Sequence, residues 1–182
     1  SPGMSRSFDL AFYLVLDPPL CGAAGLVATA RAAALGGATV VQLRDKEADT
    51  ARMIETGLAL KRALAGTGAL LVVNDDVEAA RAIGADGLHV GQEDMDVAAA
   101  RARIGPGMIL GLSVETEALA AAVDPALVDY AGVGPVFATP TKPGHKPPIG
   151  LGGLARLVAA CPVPAVAIGG LKAAHARPVL AA

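Results

Sequence analysis

The sequence is poor in the residues on which several classes of protein depend. Aromatic side chains make up 3% of its 182 residues and tryptophan is absent, too little for a base-stacking nucleic-acid platform. Neither charge sign dominates, because 15 basic residues face 17 acidic ones, so no general attraction to nucleic acid or anionic membrane is expected. Cys21 and Cys161 are too few and too far apart for a disulfide framework or a metal-binding spacing. We expect both to be small buried side chains.

Long uninterrupted apolar segments are also missing. The longest apolar stretch, Leu157–Leu171, contains two prolines and two glycines and is shorter than the roughly 20 residues of a membrane-spanning helix. No charged start followed by an apolar segment marks a secretion signal, so we expect a cytoplasmic protein. Residues 1–3, ahead of Met4, are interpreted as a remnant of a purification tag.

What the sequence has in abundance is a repeat of short apolar runs and alanine-rich segments. The segments favour helix, and the runs, apolar throughout rather than alternating, predict strands buried on both faces, as in parallel sheets. Glycines just after the helical segments suit left-handed helix ends. The predicted strands are 12–16, 39–43, 69–73, 87–90, 108–112, 127–133 and 164–168.

This repeat predicts an α/β fold of the (β/α)₈ TIM-barrel class in a single domain over residues 4–182. Only seven strands are predicted where such a barrel has eight. We therefore expect the last strand and helix to be missing from this chain, which leaves the domain incomplete at its C-terminal end. A doubly wound open sheet is the alternative, but Asp17-Pro18-Pro19 follows the first strand where a glycine-rich dinucleotide fingerprint would be required.

Polar residues gather where the predicted strands end, which is where barrels of this class carry their chemistry. The second strand leads into Gln42, Arg44 and Lys46, which strand periodicity places on one side. One neutral donor and two cations would suit a diphosphate, and a solvated turn would have the same composition.

Acidic residues follow the next two strands. Asp75 and Asp76 come after the third strand and Asp94 after the fourth. Carboxylates beside a phosphate site are typical of Mg²⁺, whereas helix capping is the alternative for all three and the preferred interpretation for Asp76. His89, inside the fourth strand, is expected to be a packed or orienting side chain.

The later strand ends carry weaker signals. Ser113 ends the fifth strand, but it would serve equally well as a helix N-cap. Thr139, Thr141 and Lys142 lie in a loop after the sixth strand that would suit a phosphate, as any basic loop would. Gly170, after the seventh strand, offers a backbone N–H to a phosphate at a helix start.

Taken in order, these residues resemble the thiamine-phosphate synthase family, and the resemblance covers nearly the whole chain. The motifs that carry it are Tyr13-Leu14-Val15-Leu16-Asp17, Gln42-x-Arg44-x-Lys46, Asn74-Asp75, the segment from Asp86 to Asp94, Gly111-Leu112-Ser113, Gly134 to Phe137 with Thr139-x-Thr141-Lys142, and Ala167-Ile168-Gly169-Gly170. The resemblance implies a barrel enzyme that joins hydroxymethylpyrimidine diphosphate to thiazole phosphate. Thiamine phosphate and diphosphate would be the products, formed through a dissociative, Mg²⁺-assisted loss of diphosphate.

The resemblance also implies a role for each residue. Those expected to bind the pyrimidine diphosphate are Gln42, Arg44, Lys46, Asn74, Ser113 and Lys142. Those expected to bind the thiazole phosphate are Thr139, Thr141 and Gly170. Those expected to bind Mg²⁺ are Asp75 and Asp94. The catalytic residues among them would be Arg44, Lys46, Ser113 and Lys142.

Other functions remain open at this point. Thiazole tautomerase shares the fold and needs no metal, and it is disfavoured because Asp75, Asp94 and the 139–142 loop occur together. An aldolase or epimerase would want a Schiff-base lysine within a strand or paired catalytic acids, and neither is found. A non-catalytic barrel that binds a phosphate ligand is a further alternative. The expected partners are small-molecule substrates, without nucleic acid or membrane, and a homo-oligomer is left open.

Overall fold

Strands and helices alternate along the chain as the apolar repeat predicts. The computed structural model describes residues 8–18, 25–134 and 149–168. The chain divides into two units, up to Leu110 and from Gly111 onward, with the boundary inside one strand. The elements that lie wholly in the first unit are β1 (Tyr13–Leu16), α1 (Gly25–Leu35), β2 (Val40–Leu43), α2 (Thr50–Leu64), β3 (Leu70–Asn74), α3 (Val77–Ile83), β4 (Gly87–Val90) and α4 (Val97–Ile104).

The remaining elements follow the same alternation. They are β5 (Ile109–Val114), α5 (Glu117–Ala121), β6 (Tyr130–Val133), α6 (Gly150–Ala160) and β7 (Ala165–Ala167). Within each unit the strands pair in parallel with their neighbours in chain order, β1 to β4 in the first and β5 to β7 in the second. None of the helices formed by the described residues is long and apolar enough to cross a membrane.

The strand register places three polar strand residues of the first unit on the same face of the sheet. Every residue of β2 and β4 is buried, including Gln42 and His89, which confirms for these two strands the prediction of burial on both faces. Val15 pairs with Gln42, Gln42 pairs with Val72, and Asn74 pairs with His89. Because side chains alternate along a strand, Gln42, Asn74 and His89 share a face. The apolar residues between them pack on the opposite face.

Short polar side chains begin four of the helices. Asp49, Asp76, Asp96 and Thr116 each accept a hydrogen bond from a backbone N–H three residues further on. Such caps satisfy donors that the helix itself leaves unpaired. The capping expected of Asp76 is confirmed, and its second oxygen accepts a hydrogen bond from Thr50 Oγ1 at 2.9 Å.

The capping alternative is wrong for three predicted site residues. Asp75 precedes the residue that caps α3, and Asp94 lies two residues before the cap of α4. Ser113 lies inside β5, which continues to Val114, and Thr116 caps the next helix. Helix capping therefore does not account for the polar character of these positions.

Two further expectations need correction. Cys161 is half-buried at the end of α6 rather than buried, because the helix ends there and the chain turns toward Pro162; Cys21 lies outside the described residues. The strand predicted to start at residue 127 begins at Tyr130, because Leu127 and Val128 donate backbone hydrogen bonds to the carbonyl of Asp124 in a preceding turn.

Gly57, in the middle of α2, has Ile83 packed directly against it. A β-carbon at residue 57 would overlap Ile83 Cδ1 and lie 2.8 Å from Cγ1. Alanine is favoured over glycine in a helix by about 1 kcal/mol, but forcing a methyl group into a packed core costs roughly 1–3 kcal/mol. We expect Gly57→Ala to lower the free energy of unfolding by about 1 kcal/mol in urea titrations.

A matched control comes from α6. A β-carbon at Gly152 would find its nearest atom, Arg156 Nη1, at 3.6 Å, so Gly152→Ala adds helix propensity without overlap. We expect this variant to be as stable as the wild type or more so. Equal stabilisation by the two alanines would contradict the packing described for Gly57.

Candidate active site

Gln42 is buried at the end of β2 and links the two neighbouring strands. Its Nε2 donates to Tyr13 Oη at 2.7 Å, and its Oε1 accepts from Asn74 Nδ2 at 3.0 Å. Only 1% of Gln42 is exposed, and a buried amide of this kind requires hydrogen-bond partners on both atoms. The structure thus brings together Gln42 and Asn74, which were predicted from different strand ends.

Arg44, just beyond β2, is held against the end of β1. Its Nη1 lies 3.4 Å from Asp17 Oδ2, and its backbone N–H donates to the carbonyl of Leu16 at 2.9 Å. The two charged side chains are about a quarter exposed, at 22% and 25%. Partly exposed ion pairs contribute little to stability, so the main effect of this pair is to orient the guanidinium.

Asp75 lies in the turn from β3 to α3 with a strained backbone. Its φ of 69° is the one positive value of a non-glycine residue among those described. Its N–H donates to the carbonyl of His89 at 2.8 Å, which ties the turn to β4. Aspartate tolerates this conformation better than most residues, and such strain concentrates at functional sites.

The carboxylates of Asp75 and Asp94 lie close enough to influence one another. Burial raises the pKa of Asp75 above its ordinary value, the negative charge of Asp94 raises it further, and the Lys46 ammonium opposes the rise. Two carboxylates that repel each other beside a half-buried turn form an arrangement that a divalent cation would relieve.

The carboxylate pair of Asp75 and Asp94 is a set of ligands that fits Mg²⁺. No group of three or more histidine, cysteine, aspartate or glutamate side chains converges on a metal position among residues 8–18, 25–134 and 149–168. A pair of carboxylates matches the habit of Mg²⁺, which takes one or two carboxylates and completes its shell with water and substrate phosphate oxygens.

Asp94 is held by the loop that follows β4. The Gly91 N–H donates to its Oδ2 at 2.7 Å, and a β-carbon at residue 91 would lie 2.8 Å from the same oxygen. The side chain of Asp94 is otherwise exposed. The glycine thus gives this carboxylate both a donor and the space to fold back onto the loop.

His89 is a packed side chain, as expected from its place inside a strand. It is 1% exposed, and burial lowers its pKa to about 4, with Asp94 opposing the shift and Lys46 adding to it. The imidazole is therefore neutral at physiological pH.

We expect the free energy of unfolding to fall as the pH is lowered from about 6.5 to about 4 because of His89. In this window the unfolded chain binds a proton at the imidazole and the folded chain does not, so acid favours unfolding. The stability is undiminished above the unfolded pKa, and the full loss is on the order of 3 kcal/mol. Urea titrations at a series of pH values measure it.

His89→Gln serves as the reference for this effect, since it removes the titrating group. Its profile of stability against pH should be flatter over the same window. An NMR titration of the His89 ring in the wild type gives a second readout, and protonation near pH 6.5 in the folded protein would contradict the assignment.

The other predicted site residues differ in what the structure says of them. Lys46 is exposed after β2, where its charge acts on Asp75 and His89. Ser113 belongs to β5, where it pairs with Gly132. The predicted residues that lie outside the described part of the chain are Thr139, Thr141, Lys142 and Gly170.

Sequence reasoning gave no role to three residues that contact the predicted site. They are Tyr13 beside Gln42, Asp17 beside Arg44, and Gly91 beside Asp94. Strand periodicity carries a signal for the first two, because residues 13, 15 and 17 alternate with those facing away. Only the register between β1 and β2 shows that this side of β1 meets Gln42.

Comparisons with known proteins agree with the resemblance carried by the motifs. The family model described as thiamine monophosphate synthase matches residues 12–182. The thiamine-phosphate synthase of Xanthobacter autotrophicus is 49% identical over 179 residues, covering 98% of this chain and 85% of that protein. That of Laribacter hongkongensis is 47% identical over 180 residues, with the same two coverages of 98% and 85%.

A solved structure extends the similarity to the fold. The thiamine phosphate pyrophosphorylase from Pyrococcus furiosus superposes with a TM-score of 0.80 at 38% identity, covering 93% of this chain and 80% of that one. The α/β fold of the (β/α)₈ TIM-barrel class predicted from the sequence is confirmed. The chain belongs to the thiamine-phosphate synthase family of transferases.

Proposed function

We propose that this chain joins hydroxymethylpyrimidine diphosphate to thiazole phosphate, with Mg²⁺ assisting the dissociative loss of diphosphate. The observation that carries the proposal lies in the first unit, where the Gln42 and Asn74 amides are joined and the charge of Lys46 acts on the interacting carboxylates Asp75 and Asp94. The names of the relatives support the same reaction class. The two substrates are the partners that this function requires.

The main requirement of this reaction is to stabilise the negative charge that develops on the leaving diphosphate. As the bond between the benzylic-type carbon and the diphosphate oxygen breaks, the electron pair leaves with the diphosphate. Arg44 and Lys46 would meet that charge, and the amide N–H groups at the ends of β2 and β3 would bind the same group. Preorganised donors and cations of this kind are usually the largest single contribution to catalysis.

Asp75 and Asp94 would hold the metal ion. When bound, Mg²⁺ supplies positive charge to the diphosphate oxygens. The tie from Gly91 to Asp94 and the strained turn at Asp75 fix the two carboxylates before substrate arrives. Protons compete for the same oxygens, and the raised pKa of Asp75 makes this competition begin at a higher pH than for an ordinary aspartate.

The remaining partners of the reaction are assigned by resemblance. Lys142 and Ser113 would add to the diphosphate contacts, while Thr139, Thr141 and Gly170 would hold the thiazole phosphate. The aminopyrimidine would stabilise its own cation until the thiazole nitrogen attacks, so no protein nucleophile is needed. Tautomerase activity, the nearest alternative, transfers a proton without a metal and would not require the carboxylate pair of Asp75 and Asp94.

Steady-state formation of thiamine phosphate from the two substrates tests the proposal. We expect product with Mg²⁺ present and loss of product in excess EDTA, restored when Mg²⁺ is added back. Absence of product with both substrates and Mg²⁺ would overturn the proposed reaction. Undiminished rates in EDTA would overturn the role of the metal, and isomerisation of the thiazole substrate alone would favour the tautomerase.

A further inference from the structure

The buried amide of Gln42 has two chemically different ends, and each end is hydrogen-bonded to a different side chain. An amide presents an oxygen on one side and an NH₂ group on the other, and exchanging them changes every partner. Here Nε2 donates to Tyr13 Oη at 2.7 Å and Oε1 accepts from Asn74 Nδ2 at 3.0 Å. The three side chains form one directional chain of hydrogen bonds across β1, β2 and β3.

The direction of this chain sets what Asn74 presents. With one N–H of Nδ2 committed to Gln42 Oε1, the second N–H of the same group is directed elsewhere. Rotation of the Gln42 amide would put an NH₂ group toward Asn74 and force its amide to rotate as well. An anion bound beside Asn74 would then meet a different pattern of donor and acceptor.

We propose that the Tyr13 hydroxyl is a positioning group for the pyrimidine diphosphate, acting through Gln42 on Asn74. The inference rests on the proposed function, which makes Gln42 and Asn74 ligands of that substrate. Tyr13 is buried at the start of β1, and its oxygen accepts the hydrogen bond that holds Gln42 Nε2 in place. A phenylalanine would keep the ring and remove the hydroxyl that accepts this hydrogen bond.

Tyr13→Phe is the variant that tests the inference. A buried N–H without a partner is costly, so the Gln42 amide loses the hydrogen bond that holds it in place beside Asn74. We expect KM for the pyrimidine diphosphate to rise between about two- and tenfold, the range of one neutral hydrogen bond. KM for the thiazole phosphate should not change.

Thr39→Val is the matched control, since it removes a hydroxyl that links the same two chain segments through the backbone of Phe12 and not through Gln42. Thr39 Oγ1 accepts from the Phe12 N–H and donates to the Phe12 carbonyl, both at 3.1 Å. This variant should lose stability without any change in KM for either substrate. A rise in KM for the pyrimidine diphosphate in both variants would mean that loosening the strand pair suffices, and would overturn the positioning role.

A double-mutant cycle tests whether Tyr13 acts through Gln42. In a Gln42→Met background, Tyr13→Phe should have no further effect on KM, because the amide that it orients is gone. Effects that multiply in the double variant would contradict the chain of action from Tyr13 to Asn74.

The side-chain NH₂ signals of Gln42 and Asn74 in ¹⁵N-resolved NMR spectra give a readout that needs no turnover. Both pairs should shift or broaden in Tyr13→Phe and stay in place in Thr39→Val. An inactive wild type with these shifts would overturn the proposed function and leave the orientation of the amides supported. An active wild type whose Tyr13→Phe variant has unchanged KM values and unchanged signals would overturn the positioning role alone.

Discussion

Replacing Asp75 with asparagine is expected to lower the rate of thiamine phosphate formation by at least about 100-fold, because metal-borne charge stabilisation is worth several kcal/mol. Asparagine keeps the shape of aspartate and tolerates the left-handed backbone at this position, where φ is 69°, so folding should be preserved. The loss should therefore appear in kcat and in the Mg²⁺ concentration needed for activity, with a circular dichroism spectrum like that of the wild type.

Asp94→Asn should behave in the same way, since it removes the other member of the carboxylate pair. The control is Asp76→Asn, one residue further along the chain. Both carboxylate oxygens of Asp76 already accept hydrogen bonds, from the Ala79 N–H and from Thr50 Oγ1, and asparagine is as good a helix cap. Equal losses in all three variants would show a general charge effect and would contradict a metal site at Asp75 and Asp94.

The second large effect is expected for Arg44→Ala, which should lower kcat on the order of 100-fold or more, as the loss of a preorganised donor does elsewhere. Its guanidinium is oriented by Asp17, and the charge on the diphosphate grows as it leaves. Interactions that strengthen in the transition state raise kcat, whereas unchanging ones mostly set KM.

Thr141→Val should therefore raise KM for the thiazole phosphate and spare kcat, because that phosphate keeps its charge.

Steady-state kinetics with each substrate varied in turn measure both variants. Arg52→Ala, which removes an exposed arginine from α2, controls for the loss of one positive charge and should leave kcat unchanged. If Arg44→Ala weakened only thiazole phosphate binding, or Thr141→Val only pyrimidine diphosphate binding, the two substrates would be placed the wrong way round.

The central part of each strand could be predicted from the sequence as a short apolar run, most plainly for β2 and β4, which are buried on both faces. The fourth strand, at 87–90, has the predicted bounds. The prediction failed at Tyr130, where the two apolar residues ahead of the strand lie in a turn around Asp124. An apolar run cannot by itself distinguish a strand from the turn that leads into it.

The candidate site could likewise be predicted only in part. Strand periodicity predicted which face of the sheet carries Gln42, and the order of the strand ends predicted that Asn74 lies near it. The contacts of Tyr13 and Asp17 depend on the register between β1 and β2, which joins residues many positions apart in the sequence. The contact of Gly91 depends on the conformation of one loop, in which a single backbone N–H meets Asp94. Asp75 owes its strained backbone to the turn between β3 and α3, and no pattern in the residue types marks it.

Binding of inorganic diphosphate to the protein, followed by titration calorimetry with and without Mg²⁺, tests the metal-bridged diphosphate site most directly. It needs neither turnover nor the second substrate. The wild type and Asp76→Asn should bind diphosphate tightly with Mg²⁺ and at least about tenfold more weakly in EDTA, while Asp75→Asn and Asp94→Asn should gain nothing from the metal. Equal affinity of the wild type with and without Mg²⁺, or a full Mg²⁺ effect in the Asp75 and Asp94 variants, would contradict the site.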